Sequence, residues 1–200
     1  MEKVVDKRIV KTRKNIKETL IEVLQQTPFE KITVAELCRR GQTSRITFYT
    51  YYDNKYALIN EMLADYIREA DRDYHELQKM NNPTGDGLIG YENLLECILR
   101  LFYRNVRFFS HATPEENPYL FSAFFNHVVA SVDDYLQRHT KLVAQYPTRE
   151  TAALLCNGLL GVINVCSQEK RAPGELRRIV RAMYNDILTS NLFRKQEESV

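Results

Sequence analysis

Residues 31–55 hold the densest set of local structural signals in the chain, in the run KITVAELCRRGQTSRITFYTYYDNK. Thr33 is followed three residues later by Glu36, and this spacing is a capping box. In a capping box, the two side chains satisfy backbone N–H groups that the first turn of a helix leaves unpaired. A short helix is therefore predicted over Val34 to Arg40.

The next residues predict a tight turn and a second short helix. Gly41 and Gln42 interrupt the helical pattern, and Ser44 can cap a helix that runs through about Tyr49. A helix-turn-helix places the start of its second helix in the major groove of DNA, where Arg binds guanine and hydroxyl groups exchange hydrogen bonds with bases. The alternative is a pair of surface helices with solvated side chains. The candidate DNA contacts are Thr33, Thr43, Ser44, Arg45, Thr47, Tyr49, Thr50, Tyr51 and Lys55.

In its order and spacing, the segment TxxELCRRGQTSRITFYTYYDNKxAL resembles the signature of the TetR family. The resemblance covers about residues 9–65, and the remainder is similar to the family only in length and helical content. This chain departs from the family pattern in the turn, because Gln42 stands where the family usually has Gly. We therefore expect Gln42 either to adopt a left-handed backbone conformation or to shift the turn by one residue.

Charge is unevenly distributed along the chain. The net charge is only +2, but residues 1–55 hold 12 Lys and Arg against 7 Asp and Glu, and the rest holds 16 against 19. A basic N-terminal segment next to a helix-turn-helix is expected to approach DNA phosphates, although charged runs alone are usually just solvated. The basic residues at the start are Lys3, Lys7, Arg8, Lys11, Arg13, Lys14 and Lys17.

Residues 1–53 are predicted to form a three-helix DNA-binding domain. A first helix is expected over about residues 10–26, and Pro28 ends it. The apolar residues expected to share one small core are Ile16, Leu20, Val23, Leu24, Phe29, Ile32, Leu37, Ile46 and Phe48.

Residues 54–200 are predicted to form a larger helical bundle for regulation and dimerisation, so that the whole chain is all-α. Asp53 or Asn54 can cap its first helix. Helical spacing of apolar residues predicts helices over about 54–80, 91–109 and 121–145, from residue 148 onward and after 173–174, with a glycine-rich loop at 81–90 and a polar tail at 194–200.

Two sets of side chains in this bundle are candidates for binding. Aromatic stripes usually form core, but an apolar effector pocket is the alternative. The candidate pocket residues are Phe102, Tyr103, Phe121, Phe125 and Tyr135. The last two helices carry more apolar surface than one bundle uses, which indicates a dimer interface. The candidate interface residues are Leu155, Leu159, Ile163, Ile179, Met183 and Ile187.

Neither catalysis nor metal binding is indicated. The four cysteines and four histidines lack the close spacings of metal sites, so we expect reduced, mostly buried thiols, with a redox sensor as the alternative. No nucleophile with a base is visible, so we expect neither an enzyme nor a cofactor. No apolar run approaches the length of a bilayer span and no signal-peptide pattern is present, which predicts a cytoplasmic protein with no membrane contact.

The resemblance implies a homodimeric repressor that binds palindromic operators in double-stranded DNA and is released by a small apolar effector. The alternative is a regulator of the same type that a protein partner controls, as a co-activator does, with no small-molecule pocket. An enzyme would need chemistry that the sequence does not show. A binder of small molecules alone would not need the basic first 55 residues.

Overall fold

The computed structural model of the chain describes residues 7–138 and 142–195, and it is all-α apart from one short strand pair. The helices are α1 (Lys7–Leu24), α2 (Val34–Arg40), α3 (Arg45–Tyr51), α4 (Lys55–Asn81), α5 (Gly87–Arg104), α6 (Val106–Phe109), α7 (Pro118–Arg138), α8 (Thr148–Gln168) and α9 (Pro173–Thr189). A single 3₁₀ turn covers Phe29–Lys31. The strands β1 (Leu142–Ala144) and β2 (Phe193–Lys195) pair antiparallel. The predicted all-α class is confirmed.

The chain forms two compact units. The first contains the residues up to Ile67 together with Asn105–Phe124, and the second contains Arg68–Arg104 together with the residues from Phe125 onward. The predicted domain boundary between residues 53 and 54 stays a prediction, because a compact unit in the folded chain need not be a unit that folds alone.

Helices α2 and α3 begin where their side-chain caps predict. Thr33 Oγ1 accepts a hydrogen bond from the Glu36 N–H at 3.2 Å, and Ser44 Oγ accepts one from the Thr47 N–H at 3.0 Å. The Glu36 carboxylate also pairs with Arg40 Nη2 at 3.3 Å, one turn further along α2. Each helix therefore starts at a residue that its own sequence specifies.

The core of the first unit contains the expected residues with one exception. The buried set includes Ile16, Leu20, Val23, Leu24, Phe29, Ile32, Leu37 and Phe48. The prediction was wrong for Ile46, whose side chain is 83% exposed. Two residues along a helix amount to about 200° of rotation, so Ile46 lies opposite Phe48 when Phe48 faces the core. A helix of this length buries one face only.

Residues 105–124 complete the first unit with aromatic packing. Phe109 packs on Phe124 with ring centroids 4.5 Å apart, and Tyr66 contacts Phe109 at 5.3 Å. Asn117 Oδ1 accepts a hydrogen bond from the Phe29 N–H, and the ring of Phe29 stacks on Tyr119 at 5.7 Å. This packing fixes the segment that follows α1 within the unit.

Helix boundaries differ from the predictions, and the helix expected over 91–109 is divided at Asn105 into α5 and α6. Helix α5 begins at Gly87, inside the expected loop, because Asp86 Oδ1 accepts hydrogen bonds from the Leu88 and Ile89 N–H groups, both at 2.9 Å. The helix expected to reach residue 145 is described as far as Arg138, residues 139–141 lie outside the described residues, and Leu142–Ala144 is a strand. Of the expected polar tail, residues 196–200 lie outside the described residues.

The second unit holds its helices together through buried polar contacts as well as apolar ones. Tyr135 Oη donates to the Gly87 carbonyl at 2.9 Å, and Tyr184 Oη donates to the Leu155 carbonyl. The Glu96 carboxylate is nearly buried and pairs with three arginines of α5 and α9, namely Arg100, Arg177 and Arg181.

Helix α8 requires a correction to one expectation. Against the prediction that no run approaches the length of a bilayer span, α8 is long and apolar enough to cross a membrane by length and composition. A core helix of a water-soluble protein meets the same criterion, so one such helix is weak evidence of a span.

Candidate nucleic-acid interface

The turn between α2 and α3 is built around Gly41 and Gln42. Asn15 Nδ2 donates to the Gly41 carbonyl at 2.7 Å, and a Cβ atom at position 41 would lie 2.8 Å from Thr19 Oγ1. Glycine is therefore required at position 41 by the close approach of α1. Gln42 has φ of +48°, which confirms the left-handed alternative predicted for it. The turn keeps its length and accepts the backbone strain.

Helix α3 exposes almost all of its side chains. Of its seven residues, Phe48 alone is buried. Arg45, Ile46, Tyr49 and Thr50 are exposed, and Tyr49 retains 54% of its accessible surface. The spacing of Ile46, Tyr49 and Thr50 places them on one face of the helix. This exposed face contains two of the predicted DNA contacts, Tyr49 and Thr50, and Ile46 is an addition to them.

The hydroxyl groups around α3 already have partners within the protein. Thr43 Oγ1 donates to the Gly41 carbonyl at 3.0 Å, and Thr50 Oγ1 donates to the Ile46 carbonyl at 2.9 Å. Ser44 Oγ and Thr47 Oγ1 lie 2.8 Å apart and share one hydrogen bond. Base recognition by these hydroxyls is thus restricted to their remaining acceptor capacity and to the one proton that the Ser44–Thr47 pair leaves undonated, unless an internal bond is broken.

The remaining predicted contacts flank α3. Thr33 is exposed and caps α2, and Tyr51 is half-buried at the end of α3. Lys55 Nζ donates to the carbonyls of Phe29, Glu30 and Ile32 at 2.8, 2.9 and 3.0 Å. All three ammonium protons are therefore used. The assignment of Lys55 to a phosphate stays a prediction, but such a contact has to replace one of these bonds.

Some of the backbone N–H groups at the start of α4 are also hydrogen-bonded within the protein. Asn54 Oδ1 accepts hydrogen bonds from the Tyr56 and Ala57 N–H groups, both at 2.9 Å. Of the two predicted caps, Asn54 is the one that makes these bonds. Fewer free N–H groups remain here for a phosphate than the sequence indicates.

Part of the basic charge of α1 is neutralised within the first unit. Arg13 and Lys17 form ion pairs with Glu61 of α4, and Lys17 also pairs with Asp65. Tyr52 Oη donates to Glu61 Oε1 at 2.9 Å, and burial raises the pKa of the Tyr52 hydroxyl. These cations connect α1 to α4. Lys7, Arg8 and Lys11 are exposed, and Lys3 lies outside the described residues.

In the second unit, the predicted pocket residues do not form one described cavity. Phe121 belongs to the first unit, whereas Phe102, Tyr103, Phe125 and Tyr135 belong to the second. A cavity of about 10 Å³ lies elsewhere, lined by Tyr91, Leu94, Leu95, Ile98, Val132, Leu155, Cys156, Leu159 and Tyr184. This volume is about that of one water molecule. The predicted pocket stays a prediction.

The predicted dimer face on α8 needs correction. Leu155, Leu159 and Ile163 are only 2 to 3% exposed within one protomer, so they form core and cannot meet a second copy. On α9, Met183 is 44% exposed, and Ile179 and Ile187 are half-buried. The exposed apolar residues of α8 are instead Leu154 and Val165, at 61% and 52%.

An apolar groove of about 380 Å³ lies along the exposed side of α8 and α9. It is lined by Asn157, Gly158, Gly161, Val162, Val165, Cys166, Arg171 and Ile179. A Cβ atom at Gly161 would meet nothing within 4 Å, and at Gly158 it would meet only Tyr184 Oη, at 3.8 Å. Packing inside the protomer therefore does not explain either glycine.

The chain is similar to known transcriptional regulators in part of its sequence and in its fold. No family model matches the chain. An uncharacterised HTH-type transcriptional regulator, YxbF of Bacillus subtilis (strain 168), is 33% identical over 63 residues, which is 31% of this chain and 17% of that protein. The match thus spans about one sixth of the relative's length.

Solved structures share the whole fold. A TetR-family transcriptional regulator from Syntrophomonas wolfei superposes with a TM-score of 0.72 at 10% identity, covering 91% of this chain and 97% of that one. The fatty acid degradation regulator FadR from Bacillus halodurans gives 0.63 at 14%, with 92% and 97% covered. A TetR regulator from Streptococcus agalactiae gives 0.59 at 24%, with 89% and 96% covered. The chain therefore has the all-α fold of the TetR-family transcriptional regulators.

Proposed function

We propose that this protein is a sequence-specific DNA-binding regulator of transcription. The observation that carries the proposal is α3, a capped helix held by one buried side chain, Phe48, while Arg45, Tyr49 and Thr50 face solvent. A helix of this kind enters the major groove in helix-turn-helix proteins and reads base edges with its exposed side chains. Residues 1–53 form the DNA-binding domain in this proposal, and residues 54–200 form the regulatory and dimerisation domain.

We propose that Arg45 makes the main hydrogen-bonded base contact. Its side chain is exposed on the first turn of α3, and guanidinium can bind guanine with two hydrogen bonds. The exposed cations Lys7 and Lys11 of α1 supply phosphate contacts in this proposal, because Arg13 and Lys17 are engaged with α4.

The functional form is proposed to be a homodimer that joins through α8 and α9. The groove beside Gly158 and Gly161 is open and apolar and is lined by the exposed side chain of Val165, and the same two helices also expose Leu154 and Met183. A two-fold dimer would cover this face with the same face of a second copy. It would also cover the apolar side of α8 without a bilayer, which is consistent with a cytoplasmic protein.

Two-fold symmetry implies a palindromic operator, and repression follows if the operator overlaps a promoter. An effector can lower DNA affinity only to the extent that it binds the DNA-incompetent arrangement more tightly. The cavity beside Tyr91 holds about 10 Å³, so a small apolar effector could occupy it only if the surrounding helices moved apart. That small volume favours the second candidate, a regulator of the same type controlled by a protein partner.

Selection of bound fragments from random duplex DNA tests the proposal. We expect a palindromic consensus from the wild type and no consensus from Arg45→Ala combined with Tyr49→Ala, which leaves Phe48 in place. Arg178→Ala, which removes an exposed arginine of α9, is the matched control and should yield the wild-type consensus. If the fragments that the wild type binds share no consensus sequence, sequence-specific binding is refuted.

Melting curves distinguish the two modes of control. A panel of apolar metabolites should raise the melting temperature and weaken operator binding if a small effector acts. If no compound changes either quantity and a protein partner changes operator binding, the small-molecule mode is refuted.

A further inference from the structure

We propose that Ile46 reads the 5-methyl group of a thymine in the operator, as a specificity-determining residue. The proposal rests on the DNA-binding function proposed above and deepens it. It concerns the one side chain of α3 that was expected in the core and lies outside it. At 83%, Ile46 is the most exposed large hydrophobic side chain among the described residues.

Its position places Ile46 at the centre of the candidate reading surface. It lies between Arg45 and Thr47 and shares a helix face with Tyr49 and Thr50, one turn further along α3. Phe48 faces the core on the opposite side. A duplex that contacts α3 through the face of Tyr49 and Thr50 therefore also meets the Ile46 side chain.

The hydrogen-bonding state of the neighbouring residues favours an apolar contact. The hydroxyl protons of Thr43 and Thr50 are donated to backbone carbonyls, and the hydroxyls of Ser44 and Thr47 bond each other. The surface around Ile46 is therefore poor in free hydroxyl donors. The thymine methyl is the apolar group that a base pair presents in the major groove, and an apolar side chain can distinguish it from cytosine.

The chemistry of isoleucine suits this role. Its branched Cβ restricts χ1 to one main rotamer in a helix, so little side-chain freedom is lost when the contact forms. In the protein without DNA, the Ile46 side chain is exposed to solvent and does not pack against the core. When the Ile46 side chain packs against the thymine methyl, both groups leave water. The free energy gained is then about that of burying one methyl carbon.

Replacement of thymine by deoxyuridine removes this methyl group and nothing else. In the selected palindrome, one thymine per half-site should be sensitive, and its replacement should weaken wild-type binding about fourfold for each half-site. Ile46→Ala should bind the thymine site more weakly and should lose the difference between thymine and deoxyuridine at that position. Because the side chain is exposed, Ile46→Ala should keep the wild-type melting temperature.

Val10→Ala is the matched control, since Val10 is 53% exposed on α1 in the same unit. It should keep the full sensitivity to deoxyuridine. A wild type with a clear consensus that tolerates deoxyuridine at every position would overturn the inference while leaving the proposed function intact. Equal sensitivity in Ile46→Ala and wild type would overturn it as well. Absence of any consensus would instead refute the proposed function.

Discussion

Lys55 Nζ lies 2.8 Å from the carbonyl oxygen of Phe29 and 4.7 Å from the centre of the Phe29 ring. The same ammonium group donates to the carbonyls of Glu30 and Ile32. It therefore bonds three carbonyls in and just after the 3₁₀ turn and holds them against the first residue of α4. A residue expected to contact DNA phosphate has a structural role that does not require DNA.

Lys55→Ala should lower the free energy of unfolding by about 1–2 kcal/mol, because charged hydrogen bonds to the three carbonyls are replaced by bonds to water. Urea unfolding followed by circular dichroism measures this change. Lys31→Ala removes an exposed lysine of the same turn and should leave stability unchanged. If Lys55→Ala unfolds like wild type and only weakens DNA binding, the phosphate assignment is correct and the structural role is minor.

Arg45→Ala should relax sequence preference by about 1–3 kcal/mol at one position per half-site. The reason is that a guanidinium bound to guanine discriminates against the other bases. Competition binding with single-base variants of the selected site measures the loss. Arg39→Ala removes an exposed arginine of α2 and should leave base preference unchanged. An unaltered preference profile for Arg45→Ala would remove Arg45 from the reading surface.

Gln42→Gly should stabilise the protein by about 0.5–1 kcal/mol. The φ of +48° strains a residue with a Cβ atom, and this gain exceeds the added freedom of glycine in the unfolded chain. Gly85→Ala is the reciprocal test, because Gly85 has φ of +69° and open space around it, so only backbone strain is introduced. It should destabilise by about 1 kcal/mol. Loss of stability in Gln42→Gly would show that the glutamine side chain contributes more than its strain.

Gly161→Leu should weaken dimerisation without destabilising the protomer. Leucine fits the open space at position 161 and favours helix over glycine by up to about 1 kcal/mol, but it fills the groove that a second copy would enter. Light scattering across a concentration series measures the dimer, and Gly174→Leu, also in open space, is the control. Met183→Glu with Ile187→Glu should give monomers too. A wild type that stays monomeric at micromolar concentration contradicts the proposed dimer.

Cys97 and Cys156 should resist thiol reagents in the folded protein. Burial raises the pKa of both thiols to about 12, so the reactive thiolate is scarce at pH 8 and its fraction rises only in strong alkali. Labelling at pH 8 should be slow in buffer and rapid in urea. Fast labelling of either thiol without denaturant, or loss of DNA binding on mild oxidation, would support the redox-sensor alternative.

Local signals predicted the local structure well. Thr33 and Ser44 cap the helices that they were expected to cap, because capping depends on side chains within three residues of the helix start. The positive φ of Gln42 was one of the two alternatives predicted from its place in the turn, where the family pattern has Gly. The positions and order of the long helices were also predictable, because the periodic spacing of apolar residues is itself a local signal.

These local signals did not predict which surfaces pack against each other in the folded chain. Periodicity marks Leu155 as apolar but does not say whether α9 or a second copy covers it, and the structure places it in the protomer core. Lys55 can donate hydrogen bonds to a phosphate or to carbonyls, since both are acceptors. Only the folded 3₁₀ turn brings the carbonyls within reach of its ammonium group. The exposure of Ile46 could have been found from its spacing to Phe48, which fits opposite faces of a helix.

Helix α3 separates the residue that holds it from the residues that can read DNA. Phe48 alone is buried, so substitutions at Arg45, Ile46, Tyr49 and Thr50 leave the core of the first unit untouched. Surface substitutions of this kind usually change stability by less than about 0.5 kcal/mol. If these positions read DNA as proposed, a lineage carrying this scaffold can acquire new operators through mutations at them while selection on its folding stays unchanged.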